Sequence, residues 1–150
     1  MAIRRCFSKK IVRSDDFCDM PISSQALYFH LGMEADDRGY VNNPRSVIKS
    51  IGASVGDLEN LITKRFILIR QEKLVLIKGW RINNTIQPSR LTESQYADDL
   101  KTLFFKSDKD LSYTEQDTGL PVATTFIENK DNDDEWFVNK LSTSCQHNIT

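Results

Sequence analysis

Apolar residues in the first third of the chain recur at Ile22, Ala26, Phe29 and Met33, with a second row at Leu27 and Leu31. Spacings of three and four predict a helix buried over much of its circumference. Pro21 stands just before it, where its ring disturbs nothing, and Ser23 or Ser24 is the expected cap. Asp36-Asp37-Arg38-Gly39 has the composition of a turn, and Tyr40-Val41 reads as a short strand. Asn43-Pro44 then opens a second helix, with Asn as cap and Pro at the first helical position, carrying a stripe of Val47, Ile48 and Ile51. Gly52 is a left-handed stop, and Ser54-Val55-Gly56-Asp57 resembles a capping box that starts a third helix at once. In that helix Val55, Leu58, Leu61, Ile62 and Phe66 fall at helical spacing, which leaves Asp57, Glu59, Asn60, Thr63 and Lys64 for solvent or a ligand.

From Phe66 the period shortens. FILIR and LVLIKGW are β-rich runs joined by Gln71-Glu72-Lys73, a hairpin by composition and loop length. Helix, short strand, helix, tight turn, helix, hairpin is the order of a winged helix-turn-helix. The expected fold class is therefore mainly α with a small antiparallel β-sheet, an α+β winged domain over residues 1–92. A helix bearing Tyr96, Leu100, Leu103 and Phe104, capped within Thr92-Glu93-Ser94-Gln95, is expected to pack on it over 93–107. Residues 108–150 lack periodicity and read as an acidic, largely flexible tail. Within that tail, Trp136, Phe137, Val138 and Leu141 form a brief apolar cluster beside the acidic run Asp131 to Glu135. It suits either a local contact with the folded domain or a linear motif that docks on a partner.

Charge sharpens this division. The net charge is −1, but residues 1–92 carry 15 Lys/Arg against 9 Asp/Glu and residues 93–150 carry 5 against 12. A basic front and an acidic back point to different partners. The three cysteines, Cys6, Cys18 and Cys145, have no metal-ligand spacing, and an odd number suits reduced, inert thiols. No window approaches the ~20 apolar residues of a membrane span, so a cytoplasmic location in a bacterial host, with no membrane partner, is the expectation.

The blocks DMPISSQALYFHL, DDRGYVNNP, IGAS and KRF, followed by LVLIKGWRINN, resemble the amino-terminal domain of phage replisome organisers. These are the replication initiation proteins of phages and prophages of low-GC Gram-positive bacteria. The likeness covers roughly Met1 to Tyr96. It implies a winged helix that recognises duplex DNA at a phage replication origin and recruits helicase-loading proteins.

The chemistry follows from placement. On the third helix, Asn60, Thr63 and Lys64 offer amide, hydroxyl and ammonium groups to base edges and phosphates, and Ser54 adds a contact at its start. Arg45, Lys49, Arg70, Lys73, Lys78 and Arg81 are the expected backbone contacts from the second helix and the wing. If about six phosphates are neutralised, affinity falls on the order of a thousandfold between 50 and 200 mM salt. One such domain binds weakly alone, which favours a homodimer or repeated sites. No phosphate loop, nucleophile elbow or metal-spaced cluster is present, so the chain is expected to be no enzyme and to need no cofactor or metal. His30 reads as a hydrogen-bonded core or boundary residue. The alternative is a protein-binding role: a phage anti-defence protein of the anti-CRISPR type. There Asp131, Asp133, Asp134, Glu135, Trp136, Phe137 and Leu141 would meet the basic channel of a host nuclease.

Overall fold

Helix α3, Ile22–Glu34, buries Ser24, Leu27, Tyr28, Leu31 and Gly32, a stripe set by spacings of three and four. The computed structural model describes residues 4–84 and 95–123. Ahead of α3 lie two single turns, α1 (Lys9–Val12) and α2 (Asp15–Cys18), each capped by a serine hydroxyl, Ser8 and Ser14. After α3 come β1 (Tyr40–Val41), α4 (Pro44–Ile51), α5 (Val55–Thr63), β2 (Ile67–Arg70), β3 (Leu74–Ile77) and α6 (Trp80–Asn83). A further turn, α7 (Ala97–Leu100), precedes β4 (Phe104–Phe105) and β5 (Tyr113–Thr114). The described residues thus form a mixed α/β fold of seven helices with a small antiparallel sheet ordered β1-β3-β2 and a second β4-β5 pair.

Local chemistry explains the joints. Pro44 occupies the first turn of α4, and Gly52, at φ 72°, ends it. Ser54 and Asp57 then form the expected capping box of α5. At its other end the Phe66 N–H donates to the Leu61 carbonyl (2.9 Å) and the Arg65 N–H to that of Ile62 (3.0 Å). This is a Schellman closure with Arg65, at φ 62°, where glycine is usual. Gly39, at φ 99°, lies against Trp80, where a Cβ would come within 2.8 Å of the side chain.

Register assigns the sheet faces. Tyr40 pairs with Leu76, and Leu76 with Leu68; since alternate residues share a face, Tyr40, Leu68, Arg70, Leu74 and Leu76 point one way. Val41, Ile67, Ile69, Val75 and Ile77 point the other, toward the helices, where Ile77 approaches Gly32. All four residues of β3 are buried, as a central strand covered on both sides must be. The cover on the first face comes from residues 95–123: the Tyr40 hydroxyl donates to Asp99 (2.6 Å), and the Tyr113 N–H donates to the Lys78 carbonyl (2.9 Å).

Several expectations are corrected. Met33 and Ile22 are 52% and 84% exposed, so the Leu27/Leu31 row, not the Ile22/Met33 row, faces the core. Pro21 is the N-cap residue of α3, and the Ser23 and Ser24 hydroxyls instead donate to Asp57. His30 is exposed. The helix expected over 93–107 is the single turn Ala97–Leu100, and Phe104 belongs to a strand; Leu100 and Leu103 mimic a helical spacing that the following β pairing overrides. Residues 108–123 are not tail-like, because Tyr113 and Val122 are buried in the core. Cys18 is a free, exposed thiol, as expected, and Cys145 lies outside the described residues.

The hairpin turn carries strain. Gln71 and Glu72 sit at φ 49° and 67°, a left-handed conformation that costs an ordinary residue roughly 1 kcal/mol. Replacing them with Asn-Gly, which adopts it readily, is expected to raise the melting temperature by roughly 5 °C. Calorimetry of the double variant checks this, and an unchanged or lower midpoint contradicts it.

Candidate nucleic-acid interface

Helix α5 is held by its own acidic residue. One Asp57 oxygen accepts from the Ser23 and Ser24 hydroxyls (2.7 and 2.9 Å), and the other accepts from the Ser54 N–H (2.9 Å). The Ser23 hydroxyl and the Ser54 N–H hold this carboxyl below its ordinary value, with lesser help from the Ser24 and Ser54 hydroxyls. Asp57 is buried and stays ionised at the positive end of the helix dipole. It therefore ties α5 to α3 instead of facing solvent, and its charge is turned away from any ligand on the outer side. Asn60 reinforces the tie, its amide donating to the Ser24 hydroxyl (3.0 Å).

What remains outward on α5 is Val55, Gly56, Glu59, Ile62, Thr63 and the C-cap Lys64. Lys64 lies 3.9 Å from Asp16, both well exposed, a pair too weak to withhold the ammonium from a stronger partner. Beside the start of α5, a groove of about 360 Å³ runs between α4, α5 and the hairpin. Ile48, Leu58, Ile69 and Val75 contribute its apolar lining, and Arg45 and Lys73 supply its cations. Asn42 and Asn43 add exposed amides. Lys49 is exposed on the same helix as Arg45.

The remaining expected contacts are distributed differently. The Ser54 hydroxyl donates to Asp57 and accepts from its N–H, so it serves the helix cap rather than a ligand. Asn60 is likewise committed to α3. Arg70 is only 14% exposed, its Nε shared between both oxygens of Asp99 (3.0 and 3.2 Å) and its other nitrogens on Glu115 and Thr102. It is a structural clamp. The guanidinium of Arg81 lies over the Phe105 ring, 5.9 Å from its centre. Lys78 is half-buried at the other end of the hairpin from Lys73. Asp131, Asp133, Asp134, Glu135, Trp136, Phe137 and Leu141 lie outside the described residues.

The expected set thus contracts to Arg45, Lys49, Thr63, Lys64 and Lys73 on the outward side. Asn42, Asn43 and the apolar groove lining were not singled out by the sequence reading. Asn43 was visible only as the cap of a helix start and Asn42 only within the DDRGYVNNP block, and a groove formed by three elements leaves no local signal. The WRINN block has a plain structural use: Asn83 and Asn84 accept from the backbone N–H groups of Ser8 (2.8 Å) and Cys6 (2.9 Å), fastening the amino-terminal segment. Among the described residues no three His, Cys, Asp or Glu side chains converge as metal ligands, and no helix is long and apolar enough to cross a membrane. Compared with family models, curated proteins and solved structures, the chain matches none.

Proposed function

We propose that residues 4–84 form a winged helix-turn-helix that binds duplex DNA without catalysis, in the manner of the phage replisome organisers its sequence resembles. α3, α4 and α5 are the three helices of this reading, and β2-β3 is the wing. The observation that carries it is the uncovered outer side of α5, bounded by Arg45 of α4 and Lys73 of the hairpin across one groove. In this arrangement α5 enters the major groove, while Arg45, Lys49, Lys64 and Lys73 meet phosphates on its borders. With Arg70 and Arg81 engaged internally, about four phosphates are neutralised instead of six. Affinity then falls about a hundredfold, not a thousandfold, between 50 and 200 mM salt.

Fluorescence anisotropy with the full chain and labelled duplexes, a phage origin repeat among them, tests this. Arg45→Ala and Lys73→Ala are each expected to lower the salt slope by about 1. Absence of retention on every duplex at 50 mM salt overturns the reading. It would favour the protein-binding alternative, a phage anti-defence role against a nucleic-acid-binding nuclease. The exposure of Val55 (63%), Ile62 (37%) and Ile69 (36%) lends that alternative its support.

A further inference from the structure

A second concavity, of about 210 Å³, opens at the base of the hairpin, away from the α4-α5 groove. Four cationic side chains from distant parts of the chain line it: Lys10 of α1, Arg65 at the end of α5, Lys78 after β3 and Lys106 after β4. Asp110 is the one carboxylate among its lining residues. One of its oxygens accepts from the Ser112 N–H and hydroxyl (3.1 and 2.7 Å), and the other stands 3.9 Å from Lys106. Lys10, Arg65 and Lys78 make no ion pair among the described residues. The lining therefore carries a surplus of three positive charges in a recess. Burial first, and then the charges of Lys106 and Arg65, push the Lys78 ammonium below its ordinary value, with Asp110 opposing them.

Arg65 itself sits in a strained backbone conformation. Its left-handed φ of 62° is one that glycine fills without cost. An arginine here therefore carries a local conformational cost, as Gln71 and Glu72 do in the hairpin turn.

We propose that this recess is a phosphate-binding site, in which Lys10, Arg65, Lys78 and Lys106 hold a phosphoryl group. A forked guanidinium together with ammonium groups suits a tetrahedral oxyanion. The volume, below the ~300 Å³ of sites for drug-sized ligands, is sufficient for such a group. The phosphoryl group belongs either to a polynucleotide backbone lying over the end of α5 or to free phosphate. The site itself does not depend on the DNA-binding reading above.

Amide NMR of the full chain, titrated with inorganic phosphate and separately with chloride at matched ionic strength, tests the site. Saturable shifts are expected at Arg65, Phe66, Lys78, Gly79 and Ser112 with phosphate alone. Lys78→Gln combined with Lys106→Gln is expected to weaken phosphate at least tenfold with the spectrum otherwise intact. Arg65→Gly is expected to weaken it as well while raising the melting temperature by about 3–5 °C. A 20-base-pair duplex distinguishes the sources: movement of the same amides, lost in the double variant, assigns the group to the backbone, and phosphate-only movement assigns it to free phosphate. Duplex failing to bind while phosphate still does removes the DNA reading and leaves this site standing. No saturable shift, equal shifts with chloride, or undiminished binding by the folded double variant overturns the proposal.

Discussion

Replacing Asp99 with alanine is expected to lower the stability of the fold by about 3–5 kcal/mol, a large part of the 5–15 kcal/mol available to a domain. Asp99 is buried at the end of α7, where it accepts the Tyr40 hydroxyl (2.6 Å) and the Arg70 Nε (3.0 Å). Burial opposes the charge on Arg70, but the hydrogen bonds and charges of Asp99 and Glu115 outweigh it and hold the guanidinium above its ordinary value. Without Asp99, a cation only 14% exposed keeps Glu115 and Thr102 but loses its most buried partner. The Tyr40 hydroxyl is stranded beside it. Breaking one half of a buried pair costs more than removing both halves. Arg70→Met combined with Asp99→Leu is therefore expected to recover part of the loss. Urea midpoints for the two variants decide the matter, and a loss below 1 kcal/mol for Asp99→Ala would show that the pair is not the clasp described here.

Alkaline pH is expected to unfold the protein abruptly rather than gradually. Burial pushes the Tyr28 and Tyr113 phenols up to about 12, against an ordinary 10. Tyr40 is raised further, by burial first and then by the hydrogen bond and charge of Asp99. Below pH 10 these phenols are neutral in both folded and unfolded chains, so their contribution is intact. Above it the unfolded chain ionises them while the folded chain resists, and stability falls as pH climbs toward the folded values. Each phenol costs about 1.4 kcal/mol per pH unit, and three together about 4. A fold of ordinary stability then collapses between roughly pH 11 and 13. Phenolate absorbance near 295 nm should rise together with the loss of far-ultraviolet dichroism. Phenolate formation well ahead of unfolding at these three tyrosines would contradict the account, and Tyr28→Phe should flatten the dependence by about one third.

The elements readable from the sequence were those whose signals are local. Asn43-Pro44, Gly52 and the Ser54/Asp57 box mark helix ends within a few residues, and the polar trio between FILIR and LVLIKGW marks a turn. What escaped reading depends on partners far along the chain. Ser23 and Ser24 have the composition of caps, but an aspartate more than thirty positions away takes their hydroxyls. Asn60 looked outward by helical spacing until Ser24 claimed its amide. Arg70, a wing cation by position, is withdrawn by Asp99, 29 positions later. The two-residue strands Phe104–Phe105 and Tyr113–Thr114 are too short to display an alternation of their own. Exposure of Arg45 and Lys49 could be anticipated because no carboxylate stands near them in sequence, and that of Lys73 because it lies in a polar turn, although Glu72 beside it shares the groove. Lys10, Arg65, Lys78 and Lys106 meet only through the fold.

The layer laid over Tyr40, Leu74 and Leu76 also bears on how the molecule can be divided. A boundary drawn by charge at residue 92 would separate the basic front from the acidic back, yet it would bare a greasy sheet surface and leave Arg70 without its carboxylates. The front is electrostatically distinct but not self-sufficient, so shortening the gene at that boundary should deliver aggregate where a minimal DNA-binding head was wanted.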